Sequence, residues 1–289
     1  MSKLLCVIID GIRSETLACA HVPCFDSLAR SGVLLRGLTP PQPCRTLPTL
    51  VSLLTSLPPE EHGVLSNSAA SVAAPHAVSL FSLLRYRHQT SSAFYSNDRL
   101  RPLFPPGTLQ TGMLINSQSI RNVDRELAEA ATRHLQREKP DYCLLYLEGP
   151  DIAGTHFGYG SDPYLESVEQ ADGVLGLLQE HLTMVGLHQE YVIMVAGCCG
   201  SARPSLDAAG TSCLPLLFSG SGMRRGEEID CPLSLYDLAP TMAAILGLAT
   251  HPDWRGRVLA EAFQRLPLDL KTLARKKIGK PRGQKLVAD

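Results

Sequence analysis

The 289-residue chain has no apolar run of the roughly 18 residues that a membrane span needs, so no transmembrane segment is expected. Its first apolar stretch, residues 4–9, stops at Asp10-Gly11 with no small-residue cleavage site, and so does not read as a secretory signal. Charged residues make up only 19%, too few for a disordered or coiled-coil chain. There is no internal repeat and no low-complexity tract. No Cys-x-x-Cys spacing occurs among the nine cysteines, and their number is odd. A disulfide framework is therefore not expected, most cysteines read as small buried apolar residues, and the expected location is cytoplasmic.

What is present is apolar and uneven in charge. A hydrophobic content of 44% supplies ample core for one large domain. The net charge of −1 hides an asymmetry, because from Lys271 onward there are seven basic residues and one acidic. The remaining body is acidic, which argues against nucleic acid bound through the core. The expected division is a domain over residues 1–266 and a basic C-terminal tail over 267–289, either solvated or touching an anionic surface. Residues 65–120 are expected to form a substrate-facing cover. Nothing in the sequence sets an oligomeric state.

Hydrophobic patterning alternates between short continuous runs and helical periods. Strands are predicted at 4–9, 33–38, 91–95, 142–147, 191–196 and 214–219. Helices are predicted at 24–30, 47–55, 77–86, 123–138, 162–185 and 235–248, with a loop over 97–118. This alternation implies an α/β fold with a largely parallel central sheet and helices on both faces. Sites in such sheets form at the carboxyl ends of strands. That rule selects Asp10, residues 44–49, residues 149–156 and residues 197–200.

Each of these has a chemical reading and a plain one. Asp10 can meet a cation, or simply precede a glycine turn. Thr46 can offer a hydroxyl at a helix N-terminus, where phosphate is favoured, or act as an N-cap. Asp151 and His156 can ligate one cation from a loop, or belong to a surface turn. Cys198 and Cys199 can bind zinc from a turn, or pack beneath a loop. A thiol sensor there would need a lowered thiol pKa, and Arg203 is the nearest basic residue in sequence. His62 reads as a loop histidine that orients the Thr46 helix.

In order, these segments resemble the type I phosphodiesterase / nucleotide pyrophosphatase family of the alkaline phosphatase superfamily. The matching stretches are Val7-Ile-Ile-Asp-Gly-Ile-Arg13, Thr46-Leu-Pro-Thr-Leu-Val-Ser-Leu-Leu-Thr55, and Pro58-Pro-Glu-Glu-His-Gly-Val64. Pro150-Asp-Ile-Ala-Gly154, Gly158-Tyr-Gly-Ser161 and Leu235-Tyr-Asp-Leu-Ala-Pro-Thr241 complete the set.

The resemblance implies a three-layer alkaline-phosphatase-like fold and divalent metal, usually two zinc ions. It places Thr46 as nucleophile on a small phosphorylated substrate, Asp10 on the first metal and Asp151 on the second. It also marks departures. Thr155 stands where the family has a ligand histidine, with His156 one place later. Gly197-Cys198-Cys199-Gly200 replaces Ser-Asp-His-Gly, and no histidine lies between His188 and His251 to supply the last ligand. Thr49 replaces a phosphate-binding asparagine. The expectation is a metal-dependent phosphoester hydrolase with an altered site, holding one or two ions or none, and weakened activity. Asp10, Thr46, Cys198 and Cys199 form its candidate zinc set. The alternative is an inactive member that binds a phosphorylated ligand or a protein partner.

Overall fold

The computed structural model describes residues 2–42, 44–68, 73–116, 122–199 and 213–265. In chain order the elements are β1 (Lys3–Asp10), α1 (Ser14–Leu17), α2 (Pro23–Ser31), β2 (Val33–Thr39), α3 (Thr46–Thr55), α4 (Pro59–His62), α5 (Leu80–Tyr86) and β3 (Ser91–Tyr95). They continue with β4 (Thr111–Leu114), α6 (Val123–Glu138), β5 (Tyr142–Leu147), α7 (Gly149–Phe157), α8 (Asp162–Met184), β6 (Tyr191–Cys198), β7 (Leu214–Ser219), β8 (Glu227–Ser234) and α9 (Leu238–Ile245). The strands form one sheet in the order β4-β3-β5-β1-β6-β7-β2-β8. β1 runs parallel to β5 and β6, and only β7 runs antiparallel to its neighbours.

β1 is a continuous apolar run because both its faces are covered. Leu4, Cys6 and Ile8 enter the core shared with α3, α5 and α9, whereas Leu5, Val7 and Ile9 enter the core beneath α2, α6 and α8. The two-residue period of a strand then turns Asp10 to the α3 side. Register brings Tyr146 opposite Ile8 and Cys198 opposite Asp10, on that same side. The sheet thus delivers a tyrosine, a carboxylate and a thiol from three adjacent strands to the start of α3. All ten residues of α3 are buried, its apolar side chains in the core and its four hydroxyl residues, Thr46, Thr49, Ser52 and Thr55, each with a hydrogen-bond partner.

The largely parallel sheet and its two helical layers agree with the sequence reading. Several segments differ. Residues 97–118, expected as loop, contain a 3-10 turn at Asp98–Leu103 and the edge strand β4. β8 carries Glu227, Glu228 and Asp230 in its first half and buries only Leu233, so it shows no apolar run; charge is a common protection for an edge strand. Residues 149–156 form α7 rather than a loop. Asp124 supports its start, accepting from the Glu148 and Gly149 amides at 3.0 and 2.8 Å. Within residues 65–120, expected as a substrate-facing cover, lie α5, β3 and β4. The tail at 267–289 lies outside the described residues. Among the described residues, no helix is long and apolar enough to cross a membrane.

Candidate functional site

The carboxyl ends of β5, β1 and β6 meet around Asp10, which is fully buried. Gly11 makes the junction possible. It adopts φ +77°, and a Cβ there would lie 2.7 Å from the Asp151 Cα and 2.9 Å from its amide nitrogen. Only glycine allows the end of β1 to rest on the first turn of α7. The Gly11 amide donates to the Cys198 carbonyl at 3.1 Å, and its carbonyl accepts from the Tyr164 hydroxyl at 2.8 Å.

Thr46 opens α3 and is buried. Its Oγ1 donates to Asp10 Oδ2 at 2.9 Å, and the Tyr146 hydroxyl donates to the same oxygen at 2.6 Å. Burial, and then the Asp10 charge, push the Tyr146 phenol well above its ordinary pKa, so it remains a donor. Arg45, at the N-cap, supplies no side-chain cap. Asn67 supplies one from a distance, its Oδ1 accepting from the Leu47 amide at 3.0 Å. The sequence reading missed Asn67; its only signal is the polar Ser66-Asn67-Ser68 stretch that follows Val64-Leu65.

His62 holds the helix as expected, but from α4 rather than from a loop. Its Nδ1 accepts from the Val64 amide at 3.1 Å, so the neutral ring carries its proton on Nε2, 2.9 Å from Ser52 Oγ on α3. Desolvation is the largest influence on this imidazole and brings its pKa down to about 4, against the opposing pull of the Pro48 carbonyl.

Asp151 is buried in the first turn of α7, and its Oδ1 accepts from the Tyr159 hydroxyl at 2.5 Å. Thr155, one turn on, also reaches that hydroxyl. Burial first, then the bond to Asp151, raise the Tyr159 pKa. The Tyr159 ring packs on Gly154, where a Cβ would lie 2.5 Å from a ring carbon, and Arg13 sits 5.6 Å from the ring centroid. His156 does not join Asp151. Five residues along a helix put the two about 140° apart, and His156 is exposed with Nδ1 2.9 Å from the Ile152 carbonyl.

The cysteines bring the main correction. Cys199 forms a disulfide with Cys44, with the two Cα atoms 5.5 Å apart. The sequence reading expected no such bond and offered Cys199 as a zinc ligand; in this state its sulfur is committed to Cys44. Cys198 remains a thiol, buried, with Sγ 4.0 Å from the Thr46 carbonyl. Thr49, expected to contact substrate, is fully buried with Oγ1 3.2 Å from Cys199 Sγ.

The two-cation centre implied by the resemblance does not fit this donor set. Asp10 Oδ2 already accepts two hydroxyl protons, Asp151 accepts a phenol, Cys199 is oxidised, and His156 faces away. Among the described residues, no group of three or more His, Cys, Asp or Glu side chains gathers to hold a metal ion.

The largely parallel sheet with its helical layers is the fold of alkaline phosphatase superfamily members. An inactive variant of murine ectonucleotide pyrophosphatase / phosphodiesterase 5, solved in complex with AMP, superposes with a TM-score of 0.71 at 14% identity, covering 87% of this chain and 96% of that one. The phosphonate monoester hydrolase of Silicibacter pomeroyi gives 0.68 at 15% identity, over 93% and 78% of the two chains. The profile of the type I phosphodiesterase / nucleotide pyrophosphatase family matches residues 4–76 and 86–201, and the chain belongs to that family. It is 26% identical to human ectonucleotide pyrophosphatase/phosphodiesterase family member 1 over 206 residues, 63% of this chain and 21% of that protein. It is 25% identical to the venom phosphodiesterase of Macrovipera lebetinus over 208 residues, 65% and 24% of the two. The alignments thus span about a fifth to a quarter of these relatives.

Proposed function

We propose that this chain is a phosphoester hydrolase of weakened turnover, acting on a phosphodiester or pyrophosphate bond in a small ligand with Thr46 as nucleophile. The observation that carries this reading is the 2.9 Å hydrogen bond from Thr46 Oγ1 to Asp10 Oδ2 at the start of a buried ten-residue helix. An anionic phosphoryl group is favoured at that helix end. Asn67 braces that helix start through its carbonyl oxygen on the Leu47 amide, and the exposed Arg45 immediately precedes Thr46 in the chain.

In this reading the Thr46 oxygen attacks phosphorus while its proton passes to Asp10 Oδ2. The bond to the leaving oxygen breaks, and water supplies that oxygen's proton. A second water then attacks the phosphorus of the phosphothreonine and gives up its proton to solvent, while Asp10 Oδ2 returns its proton to the departing Thr46 oxygen and becomes a carboxylate again. A carboxylate is a poor match for a hydroxyl proton, since their pKa values lie far apart, and this supports slow turnover. A second reading, binding of a phosphorylated ligand without turnover, is favoured by the two hydroxyl donors already on Asp10 Oδ2. A cytoplasmic location stays part of the proposal, supported by seven cysteines outside any disulfide.

The test is release of nitrophenol from a bis(nitrophenyl) phosphodiester by the wild type, Thr46→Ala and Asp10→Asn. Turnover by the wild type that falls to background in Thr46→Ala is expected. Equal rates in the two proteins would refute the assignment of Thr46. Saturable AMP binding with no release by any of them would leave the second reading.

A further inference from the structure

Among the described residues, the segment that leads into Thr46 has few polar ties of its own. Pro40, Pro41 and Pro43 have no amide protons to donate. Arg45 gives the helix no side-chain cap, and the Leu47 amide in the first turn of α3 relies on Asn67. The strongest tie is covalent. Cys44, two residues before Thr46, is bound to Cys199, the residue just past β6 and 155 positions away. Cys198 and Cys199 are consecutive, yet both sulfurs meet α3, one at the Thr46 carbonyl and the other at the Thr49 hydroxyl. This is possible because β6 ends at Cys198 and strand alternation ends with it.

We propose that the Cys44–Cys199 bond is a reversible thiol–disulfide site that latches the Thr46 segment to the sheet, and that a dithiol reductant opens it. The two sulfurs have different surroundings. Cys44 is partly exposed and next to the exposed Arg45, whereas Cys199 is buried against Thr49. A thiolate of the reductant attacks Cys44 Sγ, and the S–S bond breaks with its electron pair going to Cys199 Sγ. Thr49 Oγ1, 3.2 Å away, donates a hydrogen bond to the departing sulfur. A lower leaving-group pKa speeds exchange. The reductant's second thiol then attacks its own sulfur in the mixed disulfide and releases Cys44. The reductant ends as a disulfide, and both cysteines end as thiols. The positive charge of Arg45 draws the attacking thiolate to the Cys44 side. The latch regulates the site of the proposed hydrolysis, but its existence does not depend on turnover.

The test is hydrogen exchange, read by mass spectrometry, on full-length protein that is oxidised or treated with dithiothreitol, alongside Cys44→Ser, Cys198→Ser and Thr49→Val. Reduction is expected to speed exchange over residues 45–49 by about tenfold or more while β1 and β5 stay unchanged. Cys44→Ser should exchange like the reduced protein and ignore dithiothreitol, whereas Cys198→Ser should keep the response. Thr49→Val should retain the bond but lose it more slowly to dithiothreitol. Alkylation of the denatured, unreduced protein at all nine cysteines would overturn the proposal, as would identical exchange in the oxidised and reduced forms. Since none of these readouts requires a substrate, loss of the hydrolase reading would leave the latch standing, and the reverse.

Discussion

The Tyr146 hydroxyl donates to Asp10 Oδ2 at 2.6 Å, the same oxygen that accepts the hydrogen bond of Thr46 Oγ1. A fully buried carboxylate is thereby satisfied by two hydroxyls and by its neighbour Gly11, whose amide donates to Oδ1 at 3.1 Å. The same device recurs at Asp151, where Tyr159 is the donor. Phenols pushed well above their ordinary pKa keep their protons and stabilise the carboxylates that the sheet and α7 bring together.

Tyr146→Phe keeps the ring and removes this donor. A hydrogen bond to a charged group contributes about 1.5–3 kcal/mol, and the variant is expected to lose stability in that range. Urea unfolding measures it. A midpoint unchanged from the wild type would show that Asp10 gains nothing from the phenol.

Gly11→Ala places a methyl group against the Asp151 backbone at a φ that L residues disfavour. The cost is expected to be about 1–3 kcal/mol, seen as a melting temperature lower by several degrees. Because the clash is with backbone, side-chain motion cannot relieve it. A variant as stable as the wild type would contradict the tight β1–α7 junction.

His62 and Asp124 give stability opposite responses to acid. The folded pKa of His62, about 4, lies below its unfolded value of about 6.5. Between those limits the unfolded chain binds the extra proton, so stability present above pH 6.5 is lost as the pH falls, by up to about 1.4 kcal/mol per unit. Burial raises Asp124 to about 6, so in the window from there down to the unfolded value the folded chain binds the extra proton and stability rises with acid. His62→Gln is expected to flatten the loss of stability between pH 6.5 and 4, and Asp124→Asn to steepen it. Denaturation midpoints across that range measure both. A profile that neither substitution alters would contradict the buried, neutral imidazole.

The legible parts of the fold were those where one physical signal dominated. β1, β5 and β6 stand out because strands covered on both faces are unbroken apolar runs, and Val123–Glu138 because its apolar positions keep a helical period. α7 was hidden by Gly149, Pro150 and Gly154, which read as a loop but serve as a helix start and a seat for the Tyr159 ring. Asp10 and Thr46 could be picked from a strand end and a helix start. Tyr146 could not, since within its strand it is one more buried residue, and its meeting with Asp10 depends on the register between β1 and β5. Cys44 carried no sequence signal toward Cys199 because strand order, rather than spacing, brings them together across 155 residues.

The most direct test of the central claim is the mass of the intact protein, quenched in acid moments after mixing with a phosphodiester substrate. A covalent intermediate on Thr46 predicts a fraction of chains heavier by the transferred phosphoryl ester, absent in Thr46→Ala and mapped by peptide sequencing to residue 46. Substrate consumption with no adduct at any time, or an adduct that persists in Thr46→Ala, would contradict nucleophilic transfer by Thr46.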